Sequence, residues 1–169
     1  FYDRKTGYEF ITFNKAGEQQ GSVKTDPDNI PQYDLQATLT NITNGTENAT
    51  IYPLGKDGFV RQTFTKNKKM GYSLVAYDNN LSVLWTLDSK IDSDMIETIE
   101  ISEVSAKYIT VTKFVKASLM TKKVDLYFLI VDAASGKLIK EVPMGSEEKG
   151  KETALKTYFD ETENKIVLV

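Results

Sequence analysis

The chain of 169 residues contains no cysteine and no histidine. Without cysteine there is no disulfide and no thiol nucleophile, and without either residue the usual structural zinc sites are excluded. The absence of histidine also removes the commonest general acid or base. Any chemistry would therefore fall to carboxylates, tyrosine, lysine, serine or threonine.

Long apolar runs and an excess of one charge sign are missing as well. The longest unbroken apolar run is Leu126–Val131, far short of the about 20 residues that a membrane-spanning helix needs. The formal net charge is −3, and the 21 basic residues are scattered along the chain, without the basic stripe that typically binds nucleic acid. We therefore expect neither membrane insertion nor a nucleic-acid partner.

Helical periodicity is almost absent from the sequence. Apolar residues instead alternate or run continuously over short stretches that turn-forming residues separate, a pattern typical of β-strands. The predicted strands are Tyr8–Phe13, Gln20–Lys24, Thr50–Leu54, Gly58–Thr65, Tyr72–Tyr77, Ser82–Leu87, Ile96–Ser102, Tyr108–Ala117, Asp125–Val131, Leu138–Val142, Thr153–Phe159 and Lys165–Val169.

A unit of strand, turn and strand occurs three times, in residues 7–17, 71–85 and 125–139. In each copy an apolar-rich strand ends at Asn14, Asp78 or Asp132, and a short turn follows. Asparagine and aspartate side chains accept hydrogen bonds from their own turn, and glycine adopts the positive φ that such turns need. Recurrence at this spacing predicts an antiparallel all-β repeat array of the β-propeller type.

The predicted strands group into units of four, which we label A to D. The chain then reads CD, ABCD, ABCD, AB, in units of approximately 1–25, 33–90, 95–143 and 150–169, with an insertion near Asn41–Thr50. We interpret the whole chain as one all-β repeat domain. Because it begins at Phe1 rather than methionine and ends within a predicted strand, we expect an incomplete propeller or a fragment of a larger chain.

Leu126–Val131 favours stacked blades over other all-β folds. A strand with one solvated face alternates apolar and polar residues, whereas all six residues here are apolar or aromatic. Such a strand needs cover on both faces, as the central strands of propeller blades have. The alternative is a β-sandwich or meander whose repeats arose by chance.

The third copy carries a resemblance to a known family. Val131-Asp-Ala-Ala-Ser-Gly-Lys-Leu138 resembles the strand–turn–strand signature of quinoprotein-like (PQQ-like) and WD40-like β-propeller repeats, and Tyr77–Trp85 is a looser version. In general character the chain resembles secreted propeller proteins of the Bacteroidetes type. The resemblance implies a propeller fold and a periplasmic, secreted or cell-surface location.

Acidic residues cluster in three predicted loops. Calcium takes six to eight oxygen ligands, and two clusters offer a few, but neither has EF-hand spacing; we interpret both as solvated turns. The third cluster would suit a glycosidase if two carboxylates faced one sugar, but its place between strands predicts an exposed hairpin turn. The three clusters are Asp26, Asp28 and Asn29; Asp88, Asp92 and Asp94; and Asp160, Glu161, Glu163 and Asn164.

Other candidate residues also have a structural interpretation. Asn41, Asn44, Asn48 and Asn80 begin glycosylation sequons, which we interpret as polar loop residues of a bacterial chain. Trp85 and the tyrosines offer aromatic contact area for a glycan or a protein, but most fall within predicted strands, so we expect core packing. Lys66–Lys69 is predicted to be a hairpin tip.

The sequence favours a non-enzymatic interaction or scaffold module of an exported protein. Its binding rims would be residues 26–50, 88–95 and 143–152, its partner another protein, and self-association is one way of completing the ring. We predict no catalytic residue, no cofactor and no metal. The alternative is a glycan-binding or glycan-active propeller, with two carboxylates and an exposed aromatic residue converging at one rim.

Overall fold

The computed structural model describes residues 2–3, 7–24, 51–56, 58–65, 71–90, 94–118, 120–148, 157–160, 162–163 and 165–168. Within these ranges every regular element is a β-strand. The strands are β1 (Tyr2–Asp3), β2 (Gly7–Phe13), β3 (Gln19–Lys24), β4 (Ile51–Pro53), β5 (Gly58–Thr65), β6 (Gly71–Asp78), β7 (Val83–Asp88), β8 (Ile96–Val104), β9 (Tyr108–Lys116), β10 (Lys123–Asp132), β11 (Leu138–Glu148), β12 (Thr157–Asp160) and β13 (Lys165–Leu168).

The strands form four antiparallel sheets, each a meander of strands adjacent in sequence. Sheet 1 has the order β1-β2-β3, sheet 2 β4-β5-β6-β7, sheet 3 β8-β9-β10-β11, and sheet 4 β12-β13. The predicted all-β, antiparallel class is thus confirmed. The two-residue strand β1, which pairs with Gly7 and Tyr8 of β2, was not predicted. Among the described strands no closed barrel or ring of blades is formed, so the propeller stays a prediction.

The main core lies between sheets 2 and 3, which pack face to face. Sheet 2 contributes alternating apolar residues of β6, which lies between β5 and β7. Sheet 3 contributes the residues of the paired strands β9 and β10 that face them. The largest fully buried side chains of this cluster are Val60, Leu74, Ile109, Val111, Leu129 and Val131.

Strand β10 is covered on both faces, as its unbroken apolar run predicts. Leu129 and Val131 face sheet 2 within the main core, while Leu126 and Phe128, which alternate with them, point to the other side. Leu126 is 4% and Phe128 5% exposed. The side facing away from sheet 2 is therefore also closed to solvent at these positions.

Sheet 1 approaches sheet 2 at one turn, and sheet 4 packs on sheet 3. The backbone of Gly21 in β3 approaches the turn between β6 and β7 closely enough that an added Cβ would lie 3.2 Å from the Asn80 carbonyl oxygen. On the other side, the hydroxyls of Thr110 and Thr157 are 2.8 Å apart and buried. The Tyr108 and Phe159 rings stack with centroids 6.2 Å apart. The four sheets thus stack in chain order.

In all three repeated turns the side chain of the capping residue accepts hydrogen bonds from the turn. Asn14 Oδ1 accepts hydrogen bonds from the N–H groups two and four residues further on, both at 2.9 Å. Asp78 Oδ1 does the same at 2.8 Å. Asp132 Oδ1 accepts from the N–H of Ser135 at 2.8 Å and from its hydroxyl at 2.6 Å. The predicted capping role of this position is confirmed in all three copies.

The Asp132 cap predicts a specific dependence of stability on pH. The hydrogen bonds from Ser135 hold the pKa of the Asp132 carboxyl below its usual value. A folded-state pKa below the unfolded one gives a contribution to stability that is present above the unfolded pKa of about 3.9 and is lost as pH falls through the folded pKa. Asp132→Asn keeps an acceptor, as Asn14 shows, but removes this contribution.

We therefore expect Asp132→Asn to be less stable than wild type at neutral pH and to approach it on acidification. Urea unfolding of both proteins at a series of pH values from about 7 to about 3 measures the difference, and effects of other carboxylates cancel in it. A stability gap that stays constant with pH would contradict the assignment.

A residue with a left-handed backbone follows the cap in each turn. Gly17 has φ 81°, Gly136 has φ 69°, and Leu81 has φ 68°. Glycine adopts this conformation without strain, whereas for leucine it costs about 1–2 kcal/mol. Leu81 is nevertheless buried, with 6% of its surface exposed. The fold therefore tolerates the strain in exchange for the packing of this side chain.

Leu81 should show an inverted order of small substitutions. Leu81→Ala loses the packing but keeps the strained backbone, at an expected cost of about 2–3 kcal/mol, whereas Leu81→Gly also relieves about 1 kcal/mol of strain. We expect the glycine variant to be the more stable in urea unfolding. Leu74, which is fully buried in β6, supplies the control, since glycine there should be worse than alanine by about 0.5–1 kcal/mol. If the alanine variant is the more stable at Leu81 as well as at Leu74, the backbone strain assigned to Leu81 is refuted.

At two junctions a hairpin turn packs against the preceding sheet. Each junction combines one large residue with one glycine, but their places on strand and turn are reversed between the two. Where sheet 1 meets sheet 2, Gly21 lies on the strand and Leu81 on the turn, and an added Cβ on Gly21 would lie 3.4 Å from Leu81 Cδ1. Where sheet 2 meets sheet 3, Trp85 lies on the strand and Gly136 on the turn, directly beneath the indole ring. Gly21 and Trp85 each come seven residues after the capping side chain of their own turn. The large residue thus comes from the turn at the first junction, as Leu81, and from the strand at the second, as Trp85.

Candidate interaction surface

Of the acidic clusters weighed as calcium sites, only Asp88 and Asp94 lie among the described residues. Asp88 ends β7 with its side chain exposed, and Asp94 is exposed as well. Across the ranges that the structure describes, no group of three or more acidic residues is placed to hold a metal ion. Asp26, Asp28, Asn29 and Asp92 lie outside the described residues.

The third acidic cluster forms the turn between β12 and β13. Asp160 Oδ1 accepts a hydrogen bond from the N–H of Glu163 at 3.0 Å, and Lys165 Nζ lies 3.4 Å from Glu163 Oε2. These side chains are exposed, and their partners lie within the hairpin itself. The geometry is that of the predicted hairpin turn. Glu161 and Asn164 lie outside the described residues.

The remaining sequence candidates are part of the scaffold or lie outside the described residues. Trp85 is 8% exposed and donates its indole N–H to the carbonyl oxygen of Ala133 at 3.0 Å, so it is a core residue. Asn80 is exposed in its turn, where its backbone N–H is donated to Asp78. The sequon residues Asn41, Asn44 and Asn48, the basic segment 66–69 and the predicted rim 26–50 lie outside the described residues.

Sheet 3 contains a buried lysine paired with a glutamate, a feature that was not predicted from the sequence. Lys113 Nζ forms a salt bridge with Glu141 Oε1, and the lysine side chain is 10% exposed. The same ammonium lies 4.6 Å from the centroid of the Tyr127 ring, a distance that permits a cation–π contact. The three residues lie on three neighbouring strands. A lysine inside the apolar run of β9 is the only signal for this pair in the sequence.

The hydroxyl of Tyr72 in sheet 2 lies within range of the Glu141 charge. Burial raises the pKa of the Tyr72 hydroxyl, and the negative charges of Glu97, Glu141 and Asp88 raise it further. The phenol therefore stays neutral at any physiological pH, and the lysine already has its carboxylate partner. Lys113, Tyr127 and Glu141 thus connect three neighbouring strands of sheet 3.

Most exposed apolar side chains fall into two sets, and Ile51 on β4 and Met120 between β9 and β10 belong to neither. One set follows the outer edge strands β7 and β11 and consists of Val83, Leu84, Ile139 and Met144. The other lies on the outward faces of the two incomplete sheets: Ile11 and Phe13 on β2, 37% and 60% exposed, and Tyr158 and Val167 on the β12–β13 pair, 54% and 49% exposed. We call this second set the end faces.

The end faces are the sides of sheets 1 and 4 that point away from the stack. In sheet 4, Tyr158 pairs with Val167 across the strands, while Phe159 pairs with Ile166 on the opposite side, and the Phe159 ring stacks on sheet 3. In sheet 1 the side that approaches sheet 2 carries Gly21, whose partner is Thr12. Ile11 and Phe13, which alternate with Thr12, therefore point the other way.

The edges of the complete sheets carry features that discourage pairing with another strand. Bulges, prolines and charges are the usual means by which sheet edges avoid association. β4 contains Pro53, β7 has a bulge at Leu84, β8 has one at Ser102, and β11 has bulges at Ile139 and Met144. We call these edges guarded.

Sheets 1 and 4 carry fewer such features. β3 has a bulge at Gln20, in the same place relative to its turn as the bulges of β7 and β11. The register between β12 and β13 contains no bulge, and neither described strand contains proline. The edge of β2 is occupied by β1 only at Gly7 and Tyr8, and residues 9–13 have no described partner on that edge. We call β2 and β13 unguarded, meaning that their described residues carry neither a bulge nor a proline.

Comparisons with protein-family models, with curated proteins and with solved structures find no match to this chain. Within the described ranges, no helix has the length and apolar character that crossing a bilayer takes.

Proposed function

We propose that the chain is a propeller-like, non-enzymatic interaction module of an exported protein, and that it binds through the end faces and unguarded edges of its incomplete sheets. The observation that carries this proposal is the contrast between the guarded edges of sheets 2 and 3 and the strands β2 and β13, whose described residues carry neither a bulge nor a proline. Unpaired strand edges beside exposed apolar side chains are the features through which proteins bind by strand addition.

The chemistry of the described residues supports the same proposal. The carboxylates in the sequence motifs cap turns, as in Asp78 and Asp132, or hold a lysine, as in Glu141. The indole N–H of Trp85 already donates a hydrogen bond to the carbonyl oxygen of Ala133. These groups are engaged in holding the sheets, and the end faces are among the surfaces that expose apolar side chains.

A binding experiment with matched variants tests this function. The immobilised chain is incubated with the secreted and surface proteins of its source organism, beside Phe13→Glu and Val83→Glu. Phe13 and Val83 have nearly equal exposure, 60% and 58%, but Val83 begins a guarded edge. We expect a protein partner to be retained by wild type and Val83→Glu and lost from Phe13→Glu.

Retention by all three proteins would overturn the assignment of the surface. The glycan alternative has its own measurement, a glycan array combined with an assay for release of reducing sugar. Specific binding on the array, or hydrolysis, would replace the proposed function with the glycan-binding or glycan-active one.

A further inference from the structure

The edge strands β7 and β11 expose an apolar side chain at the same place. After each capped turn one residue of the strand is bulged, Leu84 in β7 and Ile139 in β11. These residues are 50% and 51% exposed, and neither belongs to the main core. Because a bulge re-aims the side chain that it carries, the feature that discourages strand addition also presents an apolar group at the edge of each sheet.

Trp85 brings the two bulges together. Its indole packs over Gly136 and donates a hydrogen bond to the carbonyl oxygen of Ala133 at 3.0 Å, so β7 lies beside the turn that leads into β11. Leu84 directly precedes Trp85, and Ile139 follows Gly136 by three residues. Sheets that pack face to face are about 10 Å apart, so Leu84 and Ile139 form two apolar anchors separated by about that distance.

Lysines surround the second anchor. Lys137 and Lys140 are exposed and lie on either side of Ile139 in the chain. The exposed Lys107 is held beside the same turn, because its carbonyl oxygen accepts a hydrogen bond from the N–H of Ala133 at 2.9 Å. None of these three ammonium groups forms an ion pair with a carboxylate of the described residues.

The carboxylates closest to these lysines in the sequence are already engaged. Asp132 Oδ1 accepts hydrogen bonds from the N–H and hydroxyl of Ser135, and Glu141 forms a salt bridge with Lys113. The unpaired charge beside the anchors is therefore positive. A partner that complements this surface combines apolar side chains with carboxylates.

We propose that this surface binds a short acidic segment of another protein, and that two apolar side chains of the segment pack against the two anchors. We call it the bulge surface, and it consists of Leu84, Lys107, Lys137, Ile139 and Lys140. The inference goes beyond the proposed function, because none of these residues belongs to the end faces or to the unguarded strands.

The size and charge of the chain favour a peptide segment over a lipid surface. An anionic bilayer extends past the bulge surface and would also meet the rest of a chain whose net charge is −3, whereas a short segment meets only the lysines. An extended segment also fits the anchors. In the polyproline II conformation, side chains three residues apart lie on one side of the chain and about 9 Å apart, which leaves the intervening carboxylates free to reach the lysines.

Peptide binding tests the charge and the anchors separately. The probe is a fluorescein-labelled peptide of aspartate residues with two leucines three residues apart. Two matched peptides carry lysine in place of aspartate or serine in place of leucine. Fluorescence anisotropy with the purified 169-residue chain should give the probe a dissociation constant at least about tenfold below that of either matched peptide. Its affinity should fall as salt is added, because salt screens the lysines.

Substitutions test where the probe binds. Leu84→Ser, Ile139→Ser and Lys140→Glu should each raise the dissociation constant of the probe at least about fivefold. The controls are Met120→Ser and Lys122→Glu in the turn between β9 and β10, at the other end of sheet 3. Met120 is 91% exposed and Lys122 is exposed as well, and these two variants should change the constant by less than about twofold. Circular dichroism checks that each variant is folded.

Three results would overturn the inference. They are no binding of the probe at about 1 mM, binding that the Leu84→Ser and Ile139→Ser variants leave unchanged, and binding to phosphatidylserine vesicles without binding to the probe. None of them decides the proposed function, which is measured by retention of a partner through Phe13. A chain that retains that partner but ignores the probe would refute the bulge surface alone.

Discussion

Gly136→Ala should destabilise the protein by about 2–5 kcal/mol, far more than an alanine substitution in a turn usually does. Two costs add. The left-handed backbone at φ 69° costs about 1–2 kcal/mol for a residue with a Cβ. The new Cβ would also lie 2.4 Å from Cε3 of Trp85, a separation that forces the indole to move and costs about 1–3 kcal/mol more.

Gly17→Ala isolates the first of these costs. Gly17 has φ 81°, but an added Cβ would meet no atom within 4 Å, so we expect only about 1–2 kcal/mol. Urea unfolding of both variants, followed by far-ultraviolet circular dichroism, gives the comparison. Equal losses in Gly136→Ala and Gly17→Ala would show that the indole is not packed against the turn.

Trp85→Ala should cost about 3–5 kcal/mol, as expected for removing a buried aromatic side chain. The indole is the main link between sheet 2 and the turn of sheet 3, through its packing over Gly136 and its hydrogen bond to Ala133. Leu84→Ala, one residue away on the bulge and 50% exposed, is the control and should change stability by less than about 0.5 kcal/mol.

The double variant Trp85→Ala, Gly136→Ala joins the two predictions. Once the indole is absent, Gly136→Ala should cost only its backbone component of about 1–2 kcal/mol. The cycle should therefore show a coupling of at least about 1 kcal/mol, well above the about 0.3–0.5 kcal/mol expected between independent sites. Strict additivity would place the two residues in separate environments and would contradict the described junction.

Strand positions and turn caps were predictable because both depend on residues close in sequence. The apolar run of β10 predicted cover on both faces, and Asn14, Asp78 and Asp132 predicted the turns that the structure shows. The contact of Trp85 with Gly136 was not predictable. It depends on how one sheet stacks on the next, and a single sequence contains no record of that stacking.

The same limit applies to the residues that looked least suited to their positions. Leu81 in a left-handed conformation is explained only by the space beside Gly21, and Lys113 in an apolar strand only by Glu141 and Tyr127. In each case a partner from another strand or sheet offsets a local cost. Sequence patterns therefore pointed to binding sites in loops and gave no signal for the strand edges.

The meander order of the strands bears on how the chain folds. Each strand in sheets 2 and 3 pairs only with its neighbour in sequence, so each sheet closes through short loops, and hairpins of this kind form in about 1–10 microseconds. The Trp85–Ala133 link, in contrast, joins residues 48 apart and requires two sheets that are already in place.

We expect Trp85→Ala to accelerate unfolding while leaving the refolding rate nearly unchanged, which stopped-flow kinetics would show. If Trp85→Ala instead slowed refolding by the factor expected for unfolding, the sheets would dock before the rate-limiting step. If docking comes late, each sheet can mature as it leaves the ribosome, before the next one has been synthesised.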